Sequence, residues 1–317
     1  MFGDIATHRA ADLVPRVEAW APDLVVHPIT ELAAAVAAAR TGARHVVHNL
    51  GPLPSENWSW LSAPFGELCD VWGVPALADE MVDRPYLDTC PPSLQEDAVS
   101  AFRDRRLLRA SSGDVLPGER LPRDDATLAA LPFEHTVHLT LGTIFNGLTD
   151  VFQTALAGLA RLPVNVLVTV GPGGDPASLG PQPPHELVTD FAPHAPVLPR
   201  CSVLVTQGGA GTIFAALCHG RPHLILPQGA DQFANAATAE QAGLALRLTP
   251  REDTADAIAT AVRQLRDDPG ITAAARAVES EIASMPSPDD VLATILVGRP
   301  PPPPSRLFTS VSSGDGS

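Results

Sequence analysis

Residues 205–236 read VTQGGAGTIFAALCHGRPHLILPQGADQFANA. An apolar run ends at Gln207, a glycine-rich turn follows, and an apolar helical segment begins at once. A strand that turns directly into a helix is the repeating corner of a parallel α/β sheet, and such sheets bind ligands at the carboxyl ends of their strands. The helix start offers N–H groups without intrahelical partners and a partial positive charge, which suits an anion. Gly208, Gly209 and Gly211 remove side chains that would stand between a phosphate and those donors, and Thr212 adds a hydroxyl. One glycine would serve a tight turn; three in four positions favour a phosphate over backbone freedom alone. Neither common phosphate motif is present, since GxxxxGK[ST] is missing and Gly209-Ala210-Gly211 lacks the third glycine of GxGxxG.

The next apolar run, Pro222–Gln228, leads to Asp231 and Gln232 at the same sheet edge. A carboxylate accepts hydrogen bonds and a carboxamide both donates and accepts, a pair suited to vicinal hydroxyls. Asp231 could equally cap the helix expected over 232–242. Upstream, Phe191 and Pro193 stand at another strand end, where they either wall a flat ring or belong to the core. The TLGT segment, Thr140–Thr143, either brings backbone donors to the site or turns the chain.

Working outward, strand-like runs recur at TVHLTLG, VNVLVTVG, ELVTDFAP, CSVLVTQG, PHLILPQ and LALRL, with helices such as 152–162, 211–219 and 232–242 between them. Gly220 and Gly243 sit just past two of those helices, as C-terminal caps do. The runs are apolar without alternation, so both faces of the sheet are covered. This predicts a doubly wound domain over 134–298. The segment SPDDVLATILVG supplies Ser287 as an N-cap, Pro288 at the first helical position and acids in the first turn. Residues 1–110 open in a helix (10–20) and continue as strand (23–27), Ala-rich helix (31–40) and strand (45–48), a βαβ unit that begins mid-pattern. Residues 51–133 read as irregular loops with a few helical patches, and 111–133 as a linker. The Pro- and Ser-rich tail 299–317 reads as disordered.

Composition narrows the function. The 317 residues suit two domains, and the net charge of -15 excludes a basic face for nucleic acid or an anionic membrane. All 21 basic residues are Arg, and with abundant Ala and Pro this reads as nucleotide-composition bias. The four scattered cysteines read as reduced thiols of a cytoplasmic protein. No secretory signal and no apolar run long enough to span a bilayer stands in the sequence.

Phosphate, hydroxyl and ring contacts together describe a nucleotide sugar. Residues 191–248 resemble the donor-binding signature of the GT-B-fold UDP-glycosyltransferase superfamily, F/W-x-P…HGGxGT…GxP…PxxxDQxxNA. Within it they are most similar to the bacterial macrolide and aromatic polyketide enzymes of the erythromycin desosaminyltransferase type. HNLGP (48–52), LDTCPPSLQ (87–95) and LTLGT (139–143) resemble the same branch. The resemblance implies an α/β fold of two Rossmann-like doubly wound domains, the N-terminal one incomplete. It further implies that Phe191 and Ala192 hold the base, with Pro193 shaping the loop. Gly209, Gly211 and Thr212 would bind the diphosphate beside Gln207 and Gly208, Asp231 and Gln232 the sugar hydroxyls, and Thr143 would lie near phosphate or sugar. Such enzymes invert the anomeric centre without metal or cofactor, using a UDP- or dTDP-sugar as donor and a hydroxyl of a lipophilic natural product as acceptor. No Asp-x-Asp pair is present, and helix-end donors would stabilise the leaving diphosphate instead.

The sequence departs from the family pattern at three points. Gln207 replaces the usual His before the glycines, an amide that donates without charge. Pro28 fills a slot that often holds an acid, with Glu31 the nearest carboxylate. The family's N-terminal strand–helix–strand block, with the Gly-His loop whose His acts as general base, has no counterpart before residue 1. His8, His27, His45 and His48 lie outside that motif and read as surface or satisfied histidines. The leading expectation is an inverting glycosyltransferase of secondary metabolism with an intact donor domain. The rival is a catalytically inactive nucleotide-sugar binder or helper subunit that pairs with a full-length transferase; self-association stays open, and a Rossmann oxidoreductase is opposed by the missing GxGxxG.

Overall fold

The six apolar runs expected after residue 134 all form strands; the four central ones are buried on both faces, and the two edge strands are partly exposed. In the computed structural model, which describes residues 2–53, 55–113, 131–143 and 147–297, they are β5 (Thr136–Thr140), β6 (Asn165–Thr169), β7 (Glu186–Thr189), β8 (Val203–Thr206), β9 (His223–Ile225) and β10 (Ala245–Arg247). All pair in parallel in the order β10-β9-β8-β5-β6-β7. The chain winds outward from β5 to β7, returns to β8 on the other side of β5, and winds outward again. The β5–β8 boundary is therefore the topological switch point, where the loops leaving adjacent strands diverge and open a crevice.

On one face of this sheet Val137, Leu139, Val166, Val168, Val203 and Val205 pack against Phe152, Leu159, Ile258 and Val262 of the helices Thr149–Leu159 and Ala255–Asp267. Each such buried aliphatic contributes about 1.5–3 kcal/mol. The opposite face carries Leu204 against Ala215 and Ala216 of the helix Ala210–Leu217. That helix packs in turn, through Ile213, Phe214 and Leu217, against Ala275, Val278 and Ile282 of the helix Pro269–Ser284.

The N-terminal half holds a second parallel sheet, β1 (Leu24–Pro28), β2 (Arg44–Asn49), β3 (Tyr86–Asp88) and β4 (Arg105–Leu107), in sequential order. Its first helix runs Phe2–Trp20, longer than the segment the sequence pattern indicates. Residues 51–113 are more regular than their sequence suggests. They hold a 17-residue helix, Ser55–Val71, and both β3 and β4, three-residue strands too short to show a period. The expected linker 111–133 lies mostly, and the expected disordered tail 299–317 wholly, outside the described residues.

Two features join the halves. Cys90 and Leu94, from the N-terminal half, enter the apolar cluster around Ile213, Phe214 and Leu217. The last helix, Pro288–Leu296, crosses back so that Val291 and Ile295 cover Val46 and Leu87 of the first sheet and Leu108 just after it, where Arg44 Nη2 also donates to the Ile295 carbonyl. Its start is a capping box: the Ser287 hydroxyl accepts from Asp290 N at 3.2 Å, and Asp290 Oδ2 accepts from Ser287 N at 3.2 Å.

Candidate active site

β5 and β8 end in register at Thr140 and Thr206, and both threonines turn the chain in the same way. The Gly142 N–H donates to Thr140 Oγ1 at 3.3 Å, and the Gly208 N–H to Thr206 Oγ1 at 3.4 Å. The Thr206 hydroxyl also donates to Gln207 Oε1 at 2.8 Å, which fixes the amide and turns Nε2 toward Gly142 and Gly209. A Cβ at Gly142 would lie 2.2 Å from that nitrogen and would push the amide aside, on a backbone with φ +72° that favours glycine. Among the described residues nothing accepts from Nε2, which leaves a donor at the cavity wall.

The three glycines after Gln207 divide by role. Gly208 has φ +94° and an added Cβ would meet Ile225 Cγ2 at 2.7 Å, so it serves the turn itself and does not line the cavity. This corrects its assignment as a residue that clears space for a phosphate. Gly209 caps the helix Ala210–Leu217 at φ -64° and ψ 135°. Gly211 is different: it lies inside the helix, is exposed, and a Cβ there would meet nothing within 4 Å. Thr212 N donates to Gly209 O at 3.0 Å, so the open donors of the first turn are the N–H groups of Ala210 and Gly211, while Thr212 offers its hydroxyl.

After β9 the loop returns to the same edge. Asp231 starts the helix Gln232–Gln241 but makes no side-chain cap bond; Oδ2 accepts instead from Asn235 Nδ2 at 2.9 Å. Asp231 thus holds the N-cap position without a side-chain cap bond, and Ala230 just before it sits at φ 54°, a strained backbone for a non-glycine. Gln232 is 3% exposed and its Oε1 accepts from Gln228 N (2.8 Å) and Gly229 N (3.2 Å), so only its NH2 remains to meet a ligand. This narrows the expectation that Gln232 both donates and accepts there.

Thr143, Phe191, Ala192, Gln207, Gly209, Gly211, Thr212, Asp231 and Gln232 all line one cavity of about 600 Å³ at the switch point. Phe191 stands at its rim, 42% exposed, with its N–H donating to Asp190 Oδ1 at 2.8 Å; Ala192 is buried behind it. Of the residues singled out by sequence for the donor site, Gly208 and Pro193 do not line it.

The opposite wall comes from the N-terminal half: His48, Leu50 and Thr89, with Ala110 and Ser111 beside them. Sequence reasoning read His48 as a surface or satisfied histidine; its place in HNLGP was the available signal. Burial lowers the pKa of His48, opposed by the charge of Asp88, and burial also lowers that of His194 across the cavity. His27 and His45, by contrast, lie buried inside the first sheet with Nε2 and Nδ1 3.2 Å apart, far from any site role. Glu31 pairs with Arg9. The arrangement as a whole offers helix-end and amide donors for an anion, a carboxylate and an amide for hydroxyls, and an aromatic edge for a ring.

Residues 153–297 match the family described as erythromycin biosynthesis protein CIII-like, C-terminal domain. The elloramycin glycosyltransferase of Streptomyces olivaceus is 34% identical over 286 residues, 88% of this chain and 69% of that protein. The erythronolide mycarosyltransferase of Saccharopolyspora erythraea is 29% identical, over 89% of this chain and 70% of its own. Among solved structures, spinosyn rhamnosyltransferase SpnG complexed with thymidine diphosphate superposes with a TM-score of 0.77 at 24% identity, covering 93% of this chain and 79% of that one. The fold is thus the GT-B arrangement of two parallel α/β domains facing a common cleft. The chain belongs to the bacterial macrolide and polyketide glycosyltransferases.

Proposed function

We propose that the cavity at the β5–β8 switch point binds a nucleoside diphosphate sugar, UDP- or dTDP-linked, and that the chain transfers its hexose or deoxyhexose with inversion to a hydroxyl of a lipophilic polyketide product. Gly211 carries this reading. A glycine inside a helix costs about 0.5–1 kcal/mol relative to alanine, and here no neighbouring protein atom requires it. Space kept open at the amino end of a helix suits an incoming diphosphate.

In this reading the Ala210 and Gly211 N–H groups, the Thr212 hydroxyl and Gln207 Nε2 meet the diphosphate. They strengthen as charge builds on the leaving group, and so stabilise the transition state more than the bound donor. Thr143 adds a hydroxyl from the far side of the switch point. Asp231 accepts from the sugar hydroxyls and the Gln232 NH2 donates to one. Phe191 stacks on the base over Ala192. The nucleotide sugar is the substrate, and we assign no resident cofactor or metal. Binding of thymidine diphosphate by SpnG, and the activities of the relatives as glycosyl-, mycarosyl- and desosaminyltransferases, support the donor and acceptor classes.

The test is calorimetric titration of the purified chain with dTDP, UDP and NADH, alongside Gly211→Val. Micromolar-range binding of dTDP or UDP, at least tenfold weaker in the variant at an unchanged melting temperature, is the expected result. Preference for NADH, or equal affinity in the variant, contradicts it.

A further inference from the structure

Asp88 ends β3 with its side chain fully buried. Its carboxylate accepts from Asn49 Nδ2 (3.2 Å), Cys90 N (3.0 Å), Gln95 Nε2 (2.9 and 3.0 Å) and Arg105 Nε (2.8 Å). Two of the donors adjoin the cavity wall, since Asn49 lies between His48 and Leu50 and Cys90 follows Thr89. Gln95 reaches further: its Oε1 accepts from Leu53 N at 2.8 Å and so pins the far end of the same loop. Thr89 Oγ1 donates to Asn49 O at 2.9 Å and ties the two wall segments together.

The connection continues across the cleft. Asn49 Nδ2 also donates to Gly51 O. A Cβ on Gly51 would lie 3.1 Å from the Ala210 Cβ and 3.7 Å from Asn235 Oδ1, so the two halves come close there and a side chain would crowd Ala210. Asn235 Nδ2 donates to Gly208 O (3.1 Å) and to Asp231. Hydrogen bonds thus lead from a buried carboxylate in the first domain to Gly51, and from the facing Asn235 to the glycine turn and the sugar-facing carboxylate of the second. A charge sequestered so fully costs more than an apolar side chain of the same shape would, and replacing such groups is often neutral or stabilising. Two of its partners here, Asn49 and Cys90, belong to the segments that face the donor site, and Gln95 holds the loop that leaves Asn49.

We propose that Asp88 is a positioning residue for the transferase site: through Asn49 and Gly51 it fixes where the N-terminal wall meets the Gly209–Gly211 turn. The proposal rests on the nucleotide-sugar reading of that turn. Asp88→Asn keeps the shape and removes the charge; Asn49→Ala removes the amide that bridges Asp88 and Gly51 while Asp88 keeps Arg105, Gln95 and the Cys90 N–H, so it decides the matter if Asp88→Asn does not fold. Each variant, and the double variant, is titrated with dTDP and melted in its absence. Weakening of dTDP binding by about five- to tenfold in Asn49→Ala with a melting temperature near that of the wild type, and a double variant no weaker than Asp88→Asn alone, is the expected pattern. A merely structural hub lowers the melting temperature and leaves dTDP affinity of the folded protein within twofold, which overturns the proposal. Failure of the wild-type chain to bind dTDP overturns the functional reading beneath it; wild-type binding with unaltered variants overturns this proposal alone.

Discussion

A methyl group added at Gly208 would lie 2.7 Å from the Ile225 side chain on a backbone at φ +94°, whereas one added at Gly211 would meet nothing within 4 Å. The sequence shows both as glycines of one turn and does not separate them. The separation comes from β9, whose Ile225 closes over Gly208 only in the folded sheet. Two opposite outcomes follow for the same chemical change. Gly208→Ala is expected to destabilise the fold by about 2 kcal/mol through strain and overlap. Gly211→Ala is expected to leave stability equal or higher by about 0.5 kcal/mol while weakening nucleotide binding. Urea unfolding of the two variants, with dTDP titration of the second, checks both. The other site residues were legible to differing depths. Asp231 and Gln232 followed from their place after a strand, but which of their atoms are free depends on Asn235 and on the Gln228–Gly229 backbone. His48 was missed because no local pattern tells that the end of β2 faces the second domain.

At the level of elements, the strands of the second domain were legible because all but the last are runs that end in Gly, Pro or Gln, and the central ones carry the apolar composition that burial on both faces demands. β3 and β4 were not, since three residues such as Tyr86–Asp88 carry no period and their identity depends on neighbours in the sheet. The final helix was legible from SPDD, and its capping box forms as those residues suggest. Its packing on the first sheet was not, because Val291 and Ile295 name no partner. The helix closes the gap between the halves, so its cap bears on the whole molecule. Ser287→Ala is expected to cost about 1 kcal/mol. A thermal melt should show a drop of a few degrees; an unchanged melt would mean that the helix is held by Val291 and Ile295 alone.

For the molecule as a whole, the two sheets set their strand ends toward a common cleft, and the order reversal at β5 and β8 opens it. The same packing buries histidines. Burial lowers the pKa of His45 and of His138 to about 3 and that of His223 to about 4. Each folded value lies below the ordinary 6.5, so the unfolded chain binds more protons in acid. The stability these neutral histidines allow is complete above about pH 6.5 and is lost as pH falls toward their folded values. Lowering the pH from 7 to 5 is expected to remove on the order of 1–2 kcal/mol per histidine. Melting curves across that interval measure it; a flat melting temperature would contradict the burial seen here.

The account depends on one placement, a diphosphate at the amino end of the helix Ala210–Leu217. A crystal structure of the chain grown with dTDP tests it most directly. Phosphate oxygens within about 3 Å of the Ala210 and Gly211 nitrogens, with the base against Phe191, are the predicted result. A nucleotide seated elsewhere, or a turn that stays clear of phosphate at saturating dTDP, would contradict it.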